Sequence, residues 1–321
     1  MIMDKKMKAV VLTEPTDADK VTLTEMEIPE VKPGWVLVKV RAFGLNHSEQ
    51  ILRLNEIRAD YIQKPIIPGI ECVGEIVDPS DSGFAVGQKV AALMGGMGRS
   101  FHGSYAEYAL LPAHHVFETD TALSWEQMAA VPETWFTAWG SLFECLQLKA
   151  EDTLLVRGAT CALGYAAIQI AKALRCKVIA TTHRKNKLTL LHDADEAILD
   201  TGELAGTIHG VTKALELVGP KTLSDTLRTV EKGGIVCNTG VLGGVYTLNN
   251  FDPIKFIPNG VYLTGFFSNY PTQDIMQDIF RFIEDHEITP KIGAAYPFGR
   301  ISEALYDMDH HKVNGKIVVT V

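Results

Sequence analysis

The sequence lacks the features of a membrane, secreted or nucleic-acid-binding protein. None of its apolar runs reaches the roughly 18 residues needed to span a bilayer, and its first residues include no apolar segment of signal-peptide length. It has no Lys/Arg-rich run, and its formal net charge of −9 disfavours nucleic acid and anionic membrane surfaces as partners. We therefore expect a cytoplasmic protein whose partner is a small molecule.

Cysteine is scarce, and its spacing does not indicate a disulfide framework. The five cysteines lie at positions 72, 145, 161, 176 and 237, and none belongs to a CxxC arrangement. An odd number of scattered thiols favours reduced, structural cysteines. The 321 residues, of which 46% are hydrophobic and 21% charged, suffice for a sizeable core and predict two domains.

Two kinds of secondary-structure pattern follow each other along the chain. Up to residue 124, short Val/Ile/Ala-rich runs separated by Pro, Gly, Asp and Ser predict a small β-barrel or sandwich. Ser124 and Gln127 then have the spacing of a capping box, which predicts the start of a helix.

From Thr153 onward, strand-like segments alternate with apolar stretches, several of which have helical spacing. This alternation predicts a parallel sheet covered on both faces. The six segments are TLLVRG, KVIATT, EAILD, KALELVG, GGIVCNTG and VYLTGFF. Two helical patterns and a last strand, GKIVVTV, complete the chain.

The turn after the first of these six strands is a degenerate nucleotide-binding fingerprint. Where G-x-G-x-x-G has glycines, this chain has Ala159, Cys161 and Gly164. The middle glycine of the fingerprint lets the backbone approach a pyrophosphate, and the following helix exposes N–H groups that favour phosphate. Taken alone, the turn fits simple packing of helix on strand equally well. Its place in the alternation favours nucleotide binding.

The end of the second strand indicates which nucleotide. An NAD site places an acid there on the ribose hydroxyls, but this sequence reads TTHRKNK over residues 181–187. Thr182, Arg184 and Lys187 predict a site for the 2′-phosphate of NADPH, held by hydroxyl and charge-assisted bonds. A solvated basic turn is the alternative.

Six segments in this order resemble the medium-chain dehydrogenase/reductase superfamily, and within it the zinc-independent quinone oxidoreductase branch. They are GLNHSE (44–49), PIIPGIECVGEIV (65–77), GSYAEYALLPA (103–113), AAVPETWFTAW (129–139), RGATCALGYAAIQIAK (157–172) and NGKIVVTV (314–321). The resemblance covers essentially the whole chain. In this branch a serine or another small residue often replaces the middle glycine, and Cys161 resembles such a replacement.

The resemblance implies an α/β fold of two domains. A GroES-like β-rich catalytic domain would comprise residues 1–124 and 271–321, and a Rossmann NADP-binding domain with a doubly wound, six-stranded parallel sheet would comprise residues 125–270. The resemblance favours a homodimer, and so does the segment VYLTGFF, a strand that could pair across a two-fold axis, although the sequence leaves the oligomeric state open.

Catalytic zinc is not expected. The zinc alcohol dehydrogenases of the superfamily have a cysteine where Asn46 stands and a histidine where Ile70 stands, and neither side chain here replaces a thiolate or an imidazole on Zn²⁺. Glu71 and Glu133, near ligand positions, leave a carboxylate pair open. No cysteine lies between Cys72 and Cys145, so the loop that holds a structural zinc is missing.

The resemblance then implies an NADPH-dependent, zinc-free reductase that transfers hydride to a quinone or an α,β-unsaturated carbonyl, a small electron-poor acceptor. Asn46 would face the nicotinamide, and Ser48 would be the proton donor, with a helix-cap serine as the alternative. His47 would approach the pyrophosphate or lie on the surface.

Further cofactor contacts follow from the same resemblance. They are Thr137, Ala159, Cys161, Ala162, Leu163, Gly164, Gly240, Val241, Leu242, Phe266, Phe267, Asn314 and Lys316. An apolar acceptor pocket would use Met94, Phe101, Trp135 and Phe267. The alternatives in function are a zinc-dependent alcohol dehydrogenase and a non-catalytic NADPH-binding protein of the same fold. The choice between quinone and enone stays open, because it depends on pocket shape.

Overall fold

The computed structural model describes residues 6–321 of the chain, and strands and helices are distributed along this whole range. The strands are β1 (Lys6–Val10), β2 (Leu23–Glu27), β3 (Trp35–Leu45), β4 (Glu71–Asp78), β5 (Lys89–Leu93), β6 (Tyr108–Pro112), β7 (Val116–Glu118), β8 (Thr153–Arg157), β9 (Lys177–Thr182), β10 (Glu196–Leu199), β11 (Val211–Glu216), β12 (Val230–Asn238), β13 (Tyr262–Gly265), β14 (Ile292–Pro297) and β15 (Lys316–Thr320).

The helices are α1 (His47–Leu54), α2 (Trp125–Ala129), α3 (Pro132–Trp139), α4 (Ala162–Ala173), α5 (Pro220–Thr229), α6 (Pro253–Phe256), α7 (Gln273–Asp285) and α8 (Ile301–Asp309). Short 3-10 helices occupy Ala18–Lys20, Glu56–Arg58, Ala113–His115, Lys185–Leu191 and Phe298–Arg300, and a π-helix occupies Gly140–Cys145. Among the described residues, no helix combines the length and the apolar character that crossing a bilayer requires.

The first of two structural units, the β-rich unit, contains the residues up to Glu133 and Asn269–Val321. Its seven-stranded sheet has the order β14-β15-β3-β4-β5-β7, with β6 also paired to β3. β3 runs antiparallel to both β15 and β4. The carboxyl end of β3 therefore meets the amino ends of β4 and β15 at one edge of the sheet. Alternating apolar residues of these strands, such as Val38 and Val40, form the core of the unit.

The second unit, the parallel-sheet unit, is Thr134–Ser268. Its sheet has the order β10-β9-β8-β11-β12-β13, and every neighbouring pair is parallel. All six strands predicted from the sequence are present. The order reverses between β8 and β11, which is where sheets of this kind bind ligands at the carboxyl ends of their strands.

The division between the units lies at Glu133/Thr134 and Ser268/Asn269, whereas the resemblance predicts it at 124/125 and 270/271. The predicted capping box is confirmed: Ser124 accepts the N–H of Gln127, and the Gln127 side chain accepts the N–H of Ser124. The helix that it starts, α2, packs on β3, β4 and β15, so it belongs with the β-rich sheet.

Candidate active site

The turn after β8 brings the start of α4 close to the strand. Gly158 has a φ of +83°, which favours glycine, and the chain continues through Ala159 into the helix. A Cβ on Gly164 would lie 2.3 Å from the carbonyl oxygen of Ala159. The last glycine of the fingerprint is therefore required by this close contact, as in a nucleotide-binding turn.

Cys161, which stands in place of the middle glycine, caps α4 with its sulfur. Its Sγ accepts the N–H of Gly164 at 3.3 Å. Burial raises the pKa of the Cys161 thiol to about 11, although the N–H groups of Gly164 and Leu163 and the Lys187 ammonium act in the opposite direction. The thiol is thus neutral at physiological pH. The positive end of the helix dipole, where Ala162 and Leu163 lie, remains suited to an anion.

The three residues predicted to hold a 2′-phosphate lie beside this turn. Thr182 ends β9, and its hydroxyl oxygen is 3.3 Å from that of Thr160 in the turn. Burial and the nearby Arg184 guanidinium lower the pKa of Lys187, which also interacts with Cys161. Within residues 6–321, neither Arg184 nor Lys187 pairs with a carboxylate. Their positive charge is therefore suited to an anionic ligand group.

The segment predicted to follow the fifth strand of this sheet lies at the same edge. Gly240 and Leu242 come after β12, and their N–H groups donate to the carbonyl oxygens of Glu216 at 3.1 Å and Leu217 at 3.0 Å. A Cβ on Gly158 would lie 3.6 Å from Cδ1 of Leu242. The loop of Gly240, Val241 and Leu242 is therefore a neighbour of the turn after β8.

The residues predicted near the nicotinamide differ in exposure. Phe266 follows β13 and packs on Phe136, with ring centroids 5.6 Å apart. It also packs on the π-helix at Gly140, where a Cβ would lie 2.0 Å from the Phe266 ring. Thr137 is buried, whereas 72% of Phe267 is exposed. Trp135, predicted in the acceptor pocket, is buried.

One buried charge network in this unit was not anticipated from the sequence. Arg157 ends β8 with no exposed surface, and its guanidinium pairs with Asp200 at 2.8 Å and Asp225 at 2.7 Å. Asp200 also accepts the hydroxyl of Thr181, which in turn accepts the N–H of Gly158. The network joins the ends of β8 and β9 below the turn. A charged residue at the end of the apolar run TLLV was the signal for it.

The β-rich unit has its own polar cluster, where β3, β4 and β15 meet. Asn46 follows β3, Glu71 begins β4 and Lys316 begins β15. Asn46 Nδ2 donates to Glu71 Oε1 at 2.7 Å, and Lys316 Nζ donates to Asn46 Oδ1 and to Glu71 Oε1, each at 2.6 Å. We call these three residues the amide–ammonium cluster. Lys316, predicted to contact the cofactor, is only 2% exposed.

The donor set of this cluster does not fit a zinc ion. Ile70 is a buried alkyl side chain, and the positive charge next to Glu71 is the Lys316 ammonium. The second oxygen of Glu71 accepts the backbone N–H of Glu133 at 2.7 Å. Within residues 6–321, no three His, Cys, Asp or Glu side chains gather in a way that could hold a metal.

Glu49 is hydrogen-bonded to the backbone of Asn46, a member of the cluster, and it was not predicted from the sequence. Its carboxylate accepts the N–H of Asn46 at 2.6 Å, the N–H of Ile70 at 2.9 Å and the hydroxyl of Tyr105 at 2.9 Å. Burial raises the pKa of Glu49 to about 7. The Asn-x-x-Glu spacing of a helix start was the available signal.

Ser48, the predicted proton donor, is held by an arginine. Its Oγ accepts from Arg99 Nη2 at 3.0 Å, and the same guanidinium pairs with Glu56 at 2.8 Å. The N-cap of α1 is Asn46, so capping does not explain Ser48. Because the oxygen accepts from a cation, its own O–H is left to donate. His47, next to it, is exposed.

The remaining predicted residues of the β-rich unit are Asn314, Met94 and Phe101. Asn314 is half-buried just before β15, and its Oδ1 has no hydrogen-bond partner among the described residues. Met94 and Phe101 are half-buried, and Phe101 packs edge-on against Trp35 with ring centroids 5.3 Å apart. An orphaned oxygen in Asn314 is consistent with contact to a ligand.

Comparison with known proteins gives the same picture over the whole chain. The family profile described as "Alcohol dehydrogenase GroES-like domain" matches residues 32–121, and the one described as "Zinc-binding dehydrogenase" matches residues 192–319. A human quinone oxidoreductase is 28% identical over 98% of both chains. A zinc-type alcohol dehydrogenase-like protein of Schizosaccharomyces pombe is 26% identical over 98% of this chain and 99% of its own. The solved structure of the quinone oxidoreductase from Coxiella burnetii superposes with a TM-score of 0.83 at 20% identity, covering 99% of this chain and all of that one, and so shows the shared fold.

Proposed function

The chain belongs to the medium-chain dehydrogenase/reductase superfamily of nicotinamide-dependent oxidoreductases, and we propose that it is an NADPH-dependent, zinc-free reductase of quinones or α,β-unsaturated carbonyls. The observation that carries the proposal is the amide–ammonium cluster. Asn46 stands where the zinc relatives have a metal ligand. The positive charge beside it in this chain is the Lys316 ammonium, which donates hydrogen bonds to Asn46 and Glu71. The name of the human relative supports the quinone as acceptor.

NADPH rather than NADH is supported by the basic turn after β9. Arg184 and Lys187 would pair with the 2′-phosphate, and the Thr182 hydroxyl would donate to it. The N-terminus of α4 would hold the pyrophosphate through backbone N–H groups. The nicotinamide would be surrounded by Thr137, the loop after β12, Phe266 and Phe267. Asn314 would contact the cofactor through its Oδ1, which has no hydrogen-bond partner among the described residues.

The chemistry of the acceptor follows from the groups that the chain offers it. Bound NADPH supplies the hydride. Without a Lewis acid, the acceptor has to be electron-poor already, as a quinone ring or the β-carbon of an enone is. Ser48, whose oxygen is held by Arg99, would deliver a proton through its free O–H. The residues here therefore position the acceptor and provide hydrogen bonds, and they need not stabilise a full alkoxide.

Two further proposals concern the whole protein. We propose a homodimer joined through β13, because β13 is the last strand of its sheet and Tyr262 on it is 62% exposed. We also propose a cytoplasmic location, because all five cysteines are free thiols in the structure.

The experiment that tests the function follows the oxidation of NADPH by its absorbance with phenanthrenequinone as acceptor. The same assay is repeated with NADH and after treatment with a metal chelator. The proposal expects turnover with NADPH that survives chelation. Loss of activity on chelation would favour a zinc-dependent alcohol dehydrogenase, and NADPH binding without turnover of any electron-poor acceptor would favour a non-catalytic protein.

Cofactor preference is tested with the double variant Arg184→Ala/Lys187→Ala. Removing two charge-assisted contacts should raise the KM for NADPH by about tenfold or more and leave the KM for NADH unchanged. Lys185→Ala is the matched control, because Lys185 is an exposed lysine of the same turn. An equal change for both cofactors would contradict the 2′-phosphate site.

A further inference from the structure

The amide–ammonium cluster fixes which way the Asn46 side chain points its donor. A primary amide has one acceptor end and one donor end, and these can exchange places by rotation. Here Oδ1 lies 2.6 Å from Lys316 Nζ, and Nδ2 lies 2.7 Å from Glu71 Oε1. An ammonium group cannot accept a hydrogen bond, and an ionised carboxylate cannot donate one. The reverse orientation would lose both bonds.

The fold makes room for this pair of charges. Lys316 is 2% exposed and Glu71 is fully buried. Gly44, on β3, lies against them: a Cβ there would be 2.2 Å from Lys316 Cε and 2.5 Å from Glu71 Oε1. Glu133 holds the other carboxylate oxygen through its backbone N–H. A buried ion pair with its hydrogen bonds completed in this way is a built arrangement, and removing one partner would leave an uncompensated charge.

These bonds leave the half-buried Asn46 side chain with one N–H donor that is polarised by Lys316. Asn46 Nδ2 has two N–H groups, and Glu71 uses one of them. Within the described part of the chain, no acceptor takes the other. The Lys316 ammonium, hydrogen-bonded to Oδ1, withdraws electron density from the amide. The remaining N–H is therefore a stronger donor than that of an ordinary asparagine.

We propose that Lys316 is a positioning residue that orients and polarises the Asn46 amide, and that Asn46 donates its remaining N–H to the carbonyl oxygen of the acceptor. This inference rests on the proposed function. In the reaction, the acceptor carbon would gain a C–H bond from the hydride that NADPH gives up on its oxidation to NADP⁺. The π electron pair would move onto the acceptor oxygen, which Asn46 would hold by its hydrogen bond and which water or Ser48 would then protonate.

The first test changes the donor and keeps the shape. Asn46→Asp retains an N-cap residue and an acceptor for Lys316 but has no N–H when ionised. We expect kcat to fall by about 100-fold, the size of effect seen when one oxyanion donor is removed, with the KM for NADPH unchanged. Part of the rate should return at acidic pH, where the introduced carboxyl group is protonated and can donate. A variant as fast as wild type at every pH would overturn the proposal.

The second test separates positioning from stability. Lys316→Met leaves Glu71 buried without its cation, so the protein should melt at a lower temperature and lose activity. Lys316→Met/Glu71→Gln removes both charges, and its melting temperature should return towards that of wild type. Because a glutamine can either donate to or accept from Asn46, the amide is no longer fixed, and kcat should stay about tenfold low. Recovery of both stability and kcat would show that Lys316 acts on the fold alone.

The third measurement does not depend on turnover. In protein labelled with ¹⁵N-asparagine, the side-chain amide resonances of Asn46 should shift in Lys316→Met and stay in place in Lys312→Met, an exposed lysine of the same unit. If wild type fails to oxidise NADPH with every acceptor, the proposed function is wrong, and the amide spectrum still decides whether Lys316 orients Asn46. Unchanged Asn46 resonances in Lys316→Met would overturn the inference itself.

Discussion

At the scale of single residues, the surroundings of Glu49 have opposing effects on the pKa of its carboxyl group. Burial disfavours its charge, whereas two backbone N–H groups and the Tyr105 hydroxyl favour it. Burial is the largest effect and raises its pKa to about 7. Since these N–H groups belong to Asn46 and Ile70, the charge of Glu49 bears on the backbone from which the amide–ammonium cluster is built.

This raised pKa predicts how stability depends on pH. Between its usual pKa of 4.5 and about 7, Glu49 keeps its proton in the folded protein and loses it in the unfolded chain. The unfolding free energy should therefore fall with rising pH, by up to about 3 kcal/mol relative to Glu49→Gln, which does not titrate. Urea unfolding at several pH values measures this difference. The exposed Glu14→Gln variant should run parallel to wild type, and a constant gap between wild type and Glu49→Gln would contradict the prediction.

Only part of the site could be read from the residues alone. Thr182, Arg184 and Lys187 lie within six positions of one another, so a local pattern was enough to group them. The bond between Lys316 and Asn46 joins residues 270 positions apart. No local spacing contains that information, because it depends on the pairing of β15 with β3.

At the scale of elements, the strand–turn–helix unit of β8 and α4 was predicted because its pattern is local. The two strands not predicted, β2 and β14, have weak signals of their own. β2 has the sequence LTEME, with three of its five residues exposed, and pairs only with β1. β14 has the sequence IGAAYP, and its partner is β15. Both strands exist because a partner strand outside the segment offers hydrogen bonds, which the propensity of the segment itself does not report.

The closeness of α4 to β8 predicts the effect of a single methyl group. Gly164→Ala would place a Cβ against the Ala159 carbonyl, so the start of α4 has to move. We expect the Kd for NADPH to rise by about tenfold or more, together with a lower melting temperature. Gly299→Ala is the control, because a Cβ there would have no atom within 4 Å. NADPH binding measured by fluorescence titration should separate the two, and equal affinities would argue against a nucleotide site at this turn.

At the scale of the whole molecule, the exposed edge of β13 predicts the oligomeric state. A mass of twice 35.2 kDa is expected in light scattering. Tyr262→Lys places a charge on the edge strand, where it disfavours pairing with a second copy, and should give the monomer mass. Tyr61→Lys, a similarly exposed position in the β-rich unit, should leave the dimer intact. A wild-type monomer would remove the basis for the two-fold pairing.

The path of the chain through the two units has a consequence for protein synthesis. The parallel-sheet unit is complete once residue 268 has left the ribosome, whereas the β-rich sheet still lacks β14 and β15. Until β15 has been synthesised, one edge of β3 is unpaired and Glu71 lacks the Lys316 counter-ion. The segment with β14 and β15 therefore completes the β-rich sheet only after the parallel-sheet unit has been synthesised, and a chain truncated after residue 268 would have a complete parallel sheet and an incomplete β-rich sheet.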